Sequence, residues 1–437
     1  MFVLRGVVPR LNLPVPIALA LIYTFFVAPL FLLLYYEIKG RQQRAHTPKG
    51  CRKLGLHDNI SNLNDEAEYG PNGLKKDSTD KTARVKALIV YPIKSCKGIE
   101  FNRAEFEDSG LAWDRKFCFA EYTKSRDEDG VEKDEGRWDA KTLRDGKYSR
   151  MALIRPEIWV PDPSSESYDA RLRSVKSGGI LIVYFPRDTS SLPFWTKLGI
   201  SIGLLESEEF FSLPLNPPKS EDQASAYPLE PIRLFGVPTK GTQYTTHVPS
   251  SLSRFLESKK PLSLFRVHPS HDRVAVGNAP TKAELGFTPA MAFSDQYPLQ
   301  VQNLGSLRDM SGRTSYAIPH LSVRRFRPNI VVEGVGAYEE DAWKMIRIVP
   351  EEKGEEVDIH VSCRTVRCRL PNVDPDTGER HLVEPDKTLR GTRAIDEGAN
   401  GGGCLGMMLV PTKSKFTIRV GDEVKVLSTG EHFYKAK

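Results

Sequence analysis

Two hydrophobic patterns divide the chain. Residues 15–36 form an uncharged apolar run, which at 1.5 Å per residue is long enough to cross a hydrocarbon core of about 30 Å. From residue 85 onward, short β-branched and apolar stretches alternate with turn-forming residues. Because helical candidates are few, the second pattern predicts a mostly β (α+β) fold of barrel-like domains, preceded by a transmembrane helix.

The predicted strands are apolar and rich in β-branched residues, and they lie at 85–93, 179–186, 329–334, 344–349, 357–362 and 415–427. The last stretch contains the turn sequence VGDEV between two alternating runs, which predicts a hairpin. Residues 250–258 and 304–312 predict helices, the first of them capped by serine.

The domain organisation follows from these patterns and from the chain length. Residues 1–40 predict a membrane anchor, and the polar, non-periodic residues 41–83 predict a flexible tether. The remaining chain of about 355 residues exceeds one usual core, so we expect two domains, at 84–230 and 231–437. The first domain contains two predicted insertions, at 124–137 and 187–230.

The charged residues predict how the chain is oriented in the membrane and which compartment its C-terminal domains face. Basic residues, among them Lys39, Arg41 and Lys49, follow the apolar run, so the positive-inside rule predicts that the C-terminal domains face the cytosol. A signal peptide is the alternative, although its apolar core is usually shorter. In the reducing cytosol we expect the six cysteines to be thiols or ligands. The net charge of +6 is spread among both signs and does not indicate a nucleic-acid partner.

Cys363 and Cys368 stand five positions apart, ahead of the acidic turn DPDTG. A zinc site would recruit them with His360 and His381, but His360 and Cys363 would point to opposite faces of a strand. A redox pair is normally C-x-x-C, and a calcium loop needs an acid at its twelfth position, which is a proline here. The residues alone leave open whether one thiolate binds another ligand.

Two basic stretches are candidates for binding an anion. YPIKSCKG (91–98) places Lys94 and Ser95 at a strand exit, where they suit a phosphate, with a solvated strand end as the alternative. RRFRPNI (324–330) concentrates arginines, whose forks suit phosphate or carboxylate, with a basic strand edge as the equal alternative.

Six motifs, taken together and in order, resemble the MOSC family and most closely its mitochondrial amidoxime-reducing components. They are YPIKSCKG (91–98), GLAWDRKF (110–117), FSDQYPLQV (293–301), RRFRPNIVVEG (324–334), EEDAW (339–343) and RCRLPNVDPDTG (367–378). The resemblance spans roughly residues 84–430. It implies an N-terminal MOSC β-barrel domain at 84–230 and a MOSC domain at 231–437.

The resemblance also implies a cofactor and its ligands. The thiolate of Cys368 would hold the molybdenum of a pyranopterin cofactor, as suits a soft ligand. Asp295 would lie near the metal and orient substrate or relay protons, the alternative being a helix or turn cap. The implied cofactor-binding residues are Lys94, Ser95, Arg115, Arg327, Asn329, Val366, Arg367 and Met408.

This chain departs from the family pattern at three points. Two extra residues separate Cys363 from Cys368, Val366 stands where the family has serine, and Met408 stands where it has tyrosine. At Val366 the resemblance therefore leaves room for a backbone contact to the cofactor alone, and the substrate range is left open.

The implied activity is reduction of small N-hydroxylated or N-oxide substrates, with electrons from a b-type cytochrome and its NADH-dependent reductase. The implied location is a single-pass position in the mitochondrial outer membrane, with the endoplasmic reticulum as the alternative. A non-catalytic sulfur- or molybdenum-cofactor carrier is the alternative function. No aminotransferase-like domain with a Schiff-base lysine is recognisable, which disfavours a self-sufficient sulfurase.

Overall fold

The computed structural model describes residues 14–435 except 58, 71, 77, 78, 80, 127–131, 191, 219–224 and 236. The start of the predicted anchor and the middle of the predicted insertion at 124–137 therefore lie outside the described residues. The chain forms two compact units. One is Met1–Lys49 with Thr189–Ser207, and the other is Gly50–Asp188 with Glu208–Lys437.

The smaller unit contains the apolar run as a helix. It comprises Val15–Ile22, a π-helical segment Tyr23–Val27 and Ala28–His46. The π-helical segment lies just before Pro29, whose ring clashes with the carbonyl four residues earlier and removes one helical hydrogen bond. Val15–Gln42 is long and apolar enough to cross a membrane. A second helix, Phe194–Ser201, lies inside the predicted insertion at 187–230.

Over its described residues, the larger unit contains short helices and 22 strands. Its α-helices are Arg173–Lys176, Ser250–Phe255, Lys282–Leu285, Leu304–Thr314 and Asp386–Arg393. Its 3-10 helices are Glu66–Glu68, Gly146–Leu153, Thr245–His247, Pro269–His271, Val323–Phe326, Glu339–Ala342, Leu370–Asn372 and Glu397–Ala399. Its strands are β1 Cys51–Lys53, β2 Arg84–Val90, β3 Ile99–Phe101, β4 Arg103–Glu107, β5 Gly110–Leu111, β6 Phe117–Arg126, β7 Glu132–Ala140, β8 Arg155–Pro161, β9 Ile180–Pro186, β10 Glu208–Pro214, β11 Leu229–Leu234, β12 Val237–Gln243, β13 Leu262–Val267, β14 Arg273–Val274, β15 Ala290–Met291, β16 Leu299–Asn303, β17 Ile330–Glu333, β18 Trp343–Val349, β19 Val357–Val366, β20 Cys404–Pro411, β21 Thr417–Arg419 and β22 Glu423–Thr429.

Two closed barrels organise these strands. The first has the order β17-β16-β20-β19-β18-β22-β2, closed by pairing of β17 with β2, and β3 extends it. The second has the order β11-β12-β13-β6-β7, closed by a parallel pairing of β11 with β7. A four-stranded sheet, β1-β8-β9-β10, completes the main architecture. The predicted mostly β fold with barrel domains is confirmed.

The strands do not segregate at the boundary predicted between residues 230 and 231. The second barrel takes β6 and β7 from before it and β12 and β13 from after it, while β11 spans it. The first barrel likewise joins β2 to strands from the C-terminal part of the chain. Both barrels therefore form from residues that are distant in sequence.

The predicted tether at 41–83 is wrong from residue 50 onward. Cys51–Lys53 pairs with β8, and the side chains of Leu63, Glu66 and Tyr69 are buried. The Glu66 carboxylate accepts hydrogen bonds from the Val323 backbone at 3.2 Å and from a histidine ring at 3.0 Å. Single buried residues hold this stretch in place, and they leave no periodic pattern in the sequence.

The predicted hairpin at 415–427 is also wrong. Its two halves, β21 and β22, pair with β4 and β18 rather than with each other. The buried Asp422 carboxylate lies at the corner, where it accepts hydrogen bonds from Arg419 N at 2.7 Å and Glu351 N at 3.2 Å. This carboxylate provides hydrogen-bond acceptors for backbone N–H groups at the corner, where the chain passes from one sheet to another.

Candidate functional site

One open cleft in the larger unit brings together all ten residues implied by the resemblance. Its empty volume, including the mouth, is about 760 Å³. The ten are Lys94, Ser95, Arg115, Asp295, Arg327, Asn329, Val366, Arg367, Cys368 and Met408. The same cleft is lined by residues without such an implied role, among them Arg144, Ser294 and Thr365.

Three of these residues adopt a left-handed backbone conformation. Ser95, Arg115 and Arg327 have φ values of 69°, 49° and 54°. Such conformations cost about 1–3 kcal/mol each in non-glycine residues and persist where the surroundings enforce them. Arg115 N donates to Tyr91 O at 2.7 Å, and the buried Ser95 hydroxyl accepts from Leu143 N at 3.1 Å. Three of the nine non-glycine residues with positive φ among the described residues therefore line the cleft.

Two guanidinium groups lie over the ring of Tyr91. Arg115 lies 4.8 Å and Arg327 4.1 Å from the centre of its ring. Arg115 Nη1 also donates to Asp114 Oδ2 at 2.6 Å and to Asn329 Oδ1 at 3.2 Å. Asn329 in turn donates to a backbone carbonyl at 3.2 Å. These bonds make Asn329 a residue that positions Arg115.

Arg327 has hydrogen-bonding capacity left over. Its Nη1 donates to Cys96 O at 2.7 Å, but its Nη2 is buried without a hydrogen-bond partner among the described residues. Burial lowers the pKa of Arg327 to about 10. An unsatisfied buried cation of this kind is costly unless a ligand supplies the missing acceptor.

Lys94, Asp295 and Arg144 form a charged group at the cleft. Lys94 Nζ donates to the Asp295 carboxylate and, at 2.7 Å, to Phe293 O. Arg144 Nη2 donates to Asp295 Oδ2 at 3.3 Å. Burial favours a higher pKa for Asp295, but the charges of Lys94 and Arg144 outweigh it and hold that pKa below its usual range. An ionised carboxylate cannot donate a proton at neutral pH, so this geometry favours an orienting role.

Arg144 and Phe235 were missed by sequence reasoning. The Arg144 guanidinium lies 4.4 Å from the centre of the Phe235 ring, and Lys94 Nζ lies 5.0 Å from it. Burial lowers the pKa of Arg144, but interactions with Asp295 and Cys368 outweigh burial and raise it. Neither residue belongs to a recognisable motif, because tertiary folding alone brings them to the cleft.

Arg367 is buried in the floor of the cleft. Its guanidinium donates to Leu405 O at 2.8 Å, to Phe326 O at 2.9 Å and to Gln302 Oε1 at 3.3 Å. Burial lowers the pKa of Arg367 to about 9. The preceding residue, Val366, ends β19 and pairs with Cys404. Among the described residues these partners are neutral, and none of them forms a direct ion pair with Arg367.

Cys363 and Cys368 occupy different environments. Cys368 is half-buried and lines the cleft, whereas Cys363 is fully buried in a cluster with Ala275, Tyr297 and Val410. All six cysteines are free thiols. Within the residues that the structure describes, no group of three or more His, Cys, Asp or Glu side chains could hold a metal ion.

The arginines that flank Cys368 in sequence do not all accompany it. Arg364 donates to Asp396 at 3.2 Å and Arg369 to Asp386 at 3.4 Å. Of the three flanking arginines, Arg367 lines the cleft with the thiol.

Comparison with known domains decides the family. A MOSC domain is matched over residues 288–425, and a MOSC N-terminal beta barrel domain over residues 82–164. The chain belongs to the MOSC-domain family. Both matched ranges contribute residues to the cleft, the first Asp295 and Cys368, the second Lys94 and Arg115.

Two kinds of protein occur among the relatives of this MOSC protein. Mitochondrial amidoxime-reducing component 1 of Mus musculus is 29% identical over 349 residues, which cover 78% of this chain and 82% of the mouse protein. The Danio rerio protein of the same name is 31% identical over 46% of this chain and 56% of its own length. Molybdenum cofactor sulfurase of Aspergillus oryzae is 26% identical over 71% of this chain and 36% of its own length. These relatives support a MOSC protein of the molybdenum-cofactor class.

The cleft of this MOSC protein fits an anionic cofactor with a soft metal. Over the described part of the chain, five cationic side chains line the cleft, whereas a single carboxylate, that of Asp295, does so. Three buried polar atoms at the cleft lack a hydrogen-bond partner among the described residues: Arg327 Nη2, Ser294 Oγ and Thr365 Oγ1. Arginine and lysine bind phosphate groups, and a thiolate is the protein ligand for soft, sulfur-rich metal centres.

Proposed function

We propose that this protein is a membrane-anchored molybdenum-cofactor reductase of N-hydroxylated and N-oxide compounds. The observation that supports the proposal most is the half-buried thiol of Cys368 in a cleft lined by five cationic side chains. The names of the mouse and zebrafish relatives support the reaction class. Electrons would come from NADH through its reductase and a b-type cytochrome.

In this proposal some residues of the cleft bind the metal and others bind the rest of the cofactor. Cys368 would hold the metal, while Lys94, Arg115 and Arg327 would hold the anionic part of the cofactor. Bound there, the cofactor would supply a two-electron reduction, in which an N–O bond breaks and two protons give the amine and water. Asp295 would keep Lys94 and Arg144 oriented through its ion pairs.

Metal analysis and turnover of the purified full chain test this function together. We expect about one molybdenum per chain and reduction of benzamidoxime to benzamidine with an artificial electron donor. Molybdenum without turnover would contradict the reductase function. Absence of molybdenum from protein made in cells that synthesise the cofactor would contradict cofactor binding.

A carrier of sulfur or molybdenum cofactor is the second candidate. The sulfurase relative from Aspergillus oryzae supports it, since the match covers 71% of this chain. A carrier would transfer its cofactor to a cofactor-free molybdenum enzyme and would not reduce benzamidoxime. A reductase would show the opposite behaviour in the same two assays.

Anion binding by the cleft is expected to weaken above pH 8. Burial lowers the pKa of Lys94 to about 8, against the opposing charge of Asp295. Below that pH Lys94 is protonated and attracts an anion. Above it, the part of the sulfate affinity that depends on this charge should fall by up to about tenfold for each pH unit. Sulfate, which does not titrate in this range, is the probe, and calorimetry from pH 6.5 to 9.5 at constant ionic strength is the measurement.

The matched control for this titration is Lys94→Arg. The ordinary pKa of a guanidinium lies above that of an ammonium, so the variant should lose less sulfate affinity between pH 8 and 9.5 than the wild type does. Wild-type affinity that stays flat to pH 9.5 would contradict a role for Lys94.

Mitochondrial-named relatives and the N-terminal apolar helix are consistent with membrane anchoring. We infer that the helix crosses the mitochondrial outer membrane, or alternatively that of the endoplasmic reticulum. The basic residues that follow it would keep the catalytic unit in the cytosol.

Deletion of residues 1–40 is expected to release a soluble chain that retains its metal. The cleft lies in the unit Gly50–Asp188 with Glu208–Lys437, which contains none of the deleted residues. Fractionation of cells, followed by molybdenum analysis of the soluble fraction, measures both effects. Aggregation of the truncated chain or loss of all its metal would contradict this organisation.

A further inference from the structure

The smaller unit exposes a cluster of large apolar side chains. Phe194 and Trp195 are 68% and 76% exposed, and they begin the helix Phe194–Ser201. Leu198, Ile202 and Leu205 are exposed to lesser extents. Lys197 is the single charged residue between 194 and 205. Soluble surfaces rarely leave a contiguous apolar patch of this kind without a partner.

This patch is attached to the N-terminal helix within the same unit. The side chain of Gln42 donates to Leu204 O at 3.1 Å. Gly203 has a φ of 74°, and a Cβ at that position would come within 3.0 Å of the Tyr35 hydroxyl. The residues that follow the exposed helix therefore lie directly against the helix that contains Tyr35 and Gln42.

A contact between a histidine and a carboxylate adds to this attachment. His46 Nε2 lies 3.2 Å from Glu206 Oε1, one residue after the apolar patch ends. Together with the two contacts above, it fixes the patch beside the C-terminal third of the N-terminal helix.

The point of attachment predicts how deep the apolar patch would lie in a bilayer that the N-terminal helix crosses. From Val15 to Tyr36 the helix is about 33 Å long, which matches a hydrocarbon core of about 30 Å. Tyr35 and Tyr36 would then lie at the membrane–water boundary, where tyrosine is enriched. Gln42 lies about 9 Å further along the helix. The patch, whose last residues contact both Tyr35 and Gln42, would then lie between that boundary and the headgroup layer.

We propose that residues 194–205 insert into the interfacial layer of the membrane that the N-terminal helix enters. The inference rests on the proposed membrane anchoring and adds a second, non-spanning contact. Phe194 and Trp195 would enter the boundary between headgroups and acyl chains, as apolar residues of interfacial helices do. Lys197 would remain among the headgroups, with its apolar stem along the membrane surface.

Fluorescence quenching by brominated lipids in the full chain tests the proposal. The chain has five tryptophans, and Trp195 is the one in the smaller unit. The full chain is reconstituted in phosphatidylcholine–phosphatidylserine nanodiscs with or without bromine on the acyl chains. We expect brominated lipid to reduce wild-type emission, and Trp195→Phe to abolish that reduction. Trp159→Phe, which lies in β8 of the larger unit, should leave the reduction in place.

The outcomes separate this inference from the anchoring on which it rests. A chain that enters nanodiscs but shows the same quenching with and without Trp195 would overturn the interfacial contact and leave the anchor intact. Such a result would assign the patch to a protein partner or a second copy. A chain that does not enter nanodiscs at all would overturn both. Quenching that disappears with Trp195 alone would support both.

Discussion

Replacing Cys368 with alanine is expected to abolish reduction of benzamidoxime and to leave the fold intact. The thiol lines the cleft and is half-buried, so its removal takes away the proposed metal ligand but little packing. We expect activity to fall by more than about 100-fold, beyond what loss of an outer hydrogen-bond partner of a ligand causes. The free energy of unfolding should change by less than about 0.5 kcal/mol.

Cys363→Ala is the matched control, because it removes the same group five positions earlier in the chain. Cys363 is fully buried beside Tyr297 and outside the cleft. Its replacement should destabilise the fold by about 1 kcal/mol and leave turnover close to the wild-type value. Equal destabilisation by both substitutions, as a shared zinc site or a disulfide would require, contradicts the assignment of Cys368.

Arg327→Met is expected to stabilise the cofactor-free protein and to eliminate retention of the cofactor. Arg327 is a cation without a carboxylate partner among the described residues, and its Nη2 lacks any hydrogen-bond partner there. An apolar side chain of similar length avoids the desolvation of that charge but loses the bond to Cys96 O and the contact of the guanidinium with the Tyr91 ring. The net gain should be about 1–2 kcal/mol, measured by chemical denaturation of the cofactor-free chain.

The neighbouring Arg325 provides the opposite case in the same motif. It is buried and forms an ion pair with Asp374, and it also donates to Pro371 O at 3.3 Å. Arg325→Met should therefore destabilise the protein by about 1–3 kcal/mol, because it removes the ion pair with Asp374 and leaves a buried backbone carbonyl without its donor. A loss of stability in Arg327→Met comparable with that in Arg325→Met would mean that Arg327 is a structural residue rather than a ligand for an anion.

Sequence patterns identified the strands whose side chains fill the barrel cores. β9, β18 and β19 each contain β-branched residues buried in hydrophobic clusters, and each lies where the apolar pattern predicted a strand. Local burial leaves a local signal, because consecutive residues of one strand share the same sheet environment. The pairing partners were not predictable in this way, since β2 closes a barrel with strands more than two hundred residues away.

The candidate site likewise contains residues that the sequence identified and residues that it did not. Cys368, Lys94 and Arg327 belong to motifs that could be recognised in the sequence. Arg144 and Phe235 could not be recognised, although Arg144 bonds to Asp295 and stacks on Phe235. Their contribution depends on which loops meet at the cleft, and that is a property of the tertiary fold.

The central claim is that the thiolate of Cys368 is the protein ligand of molybdenum. X-ray absorption at the molybdenum edge, compared between the wild-type full chain and Cys368→Ser, tests it most directly. The substitution exchanges sulfur for oxygen at one atom and keeps the size of the side chain. We predict that wild-type molybdenum has one sulfur neighbour more than the molybdenum that Cys368→Ser retains, or that the variant retains none. An identical sulfur count at full molybdenum content in both proteins would contradict the claim.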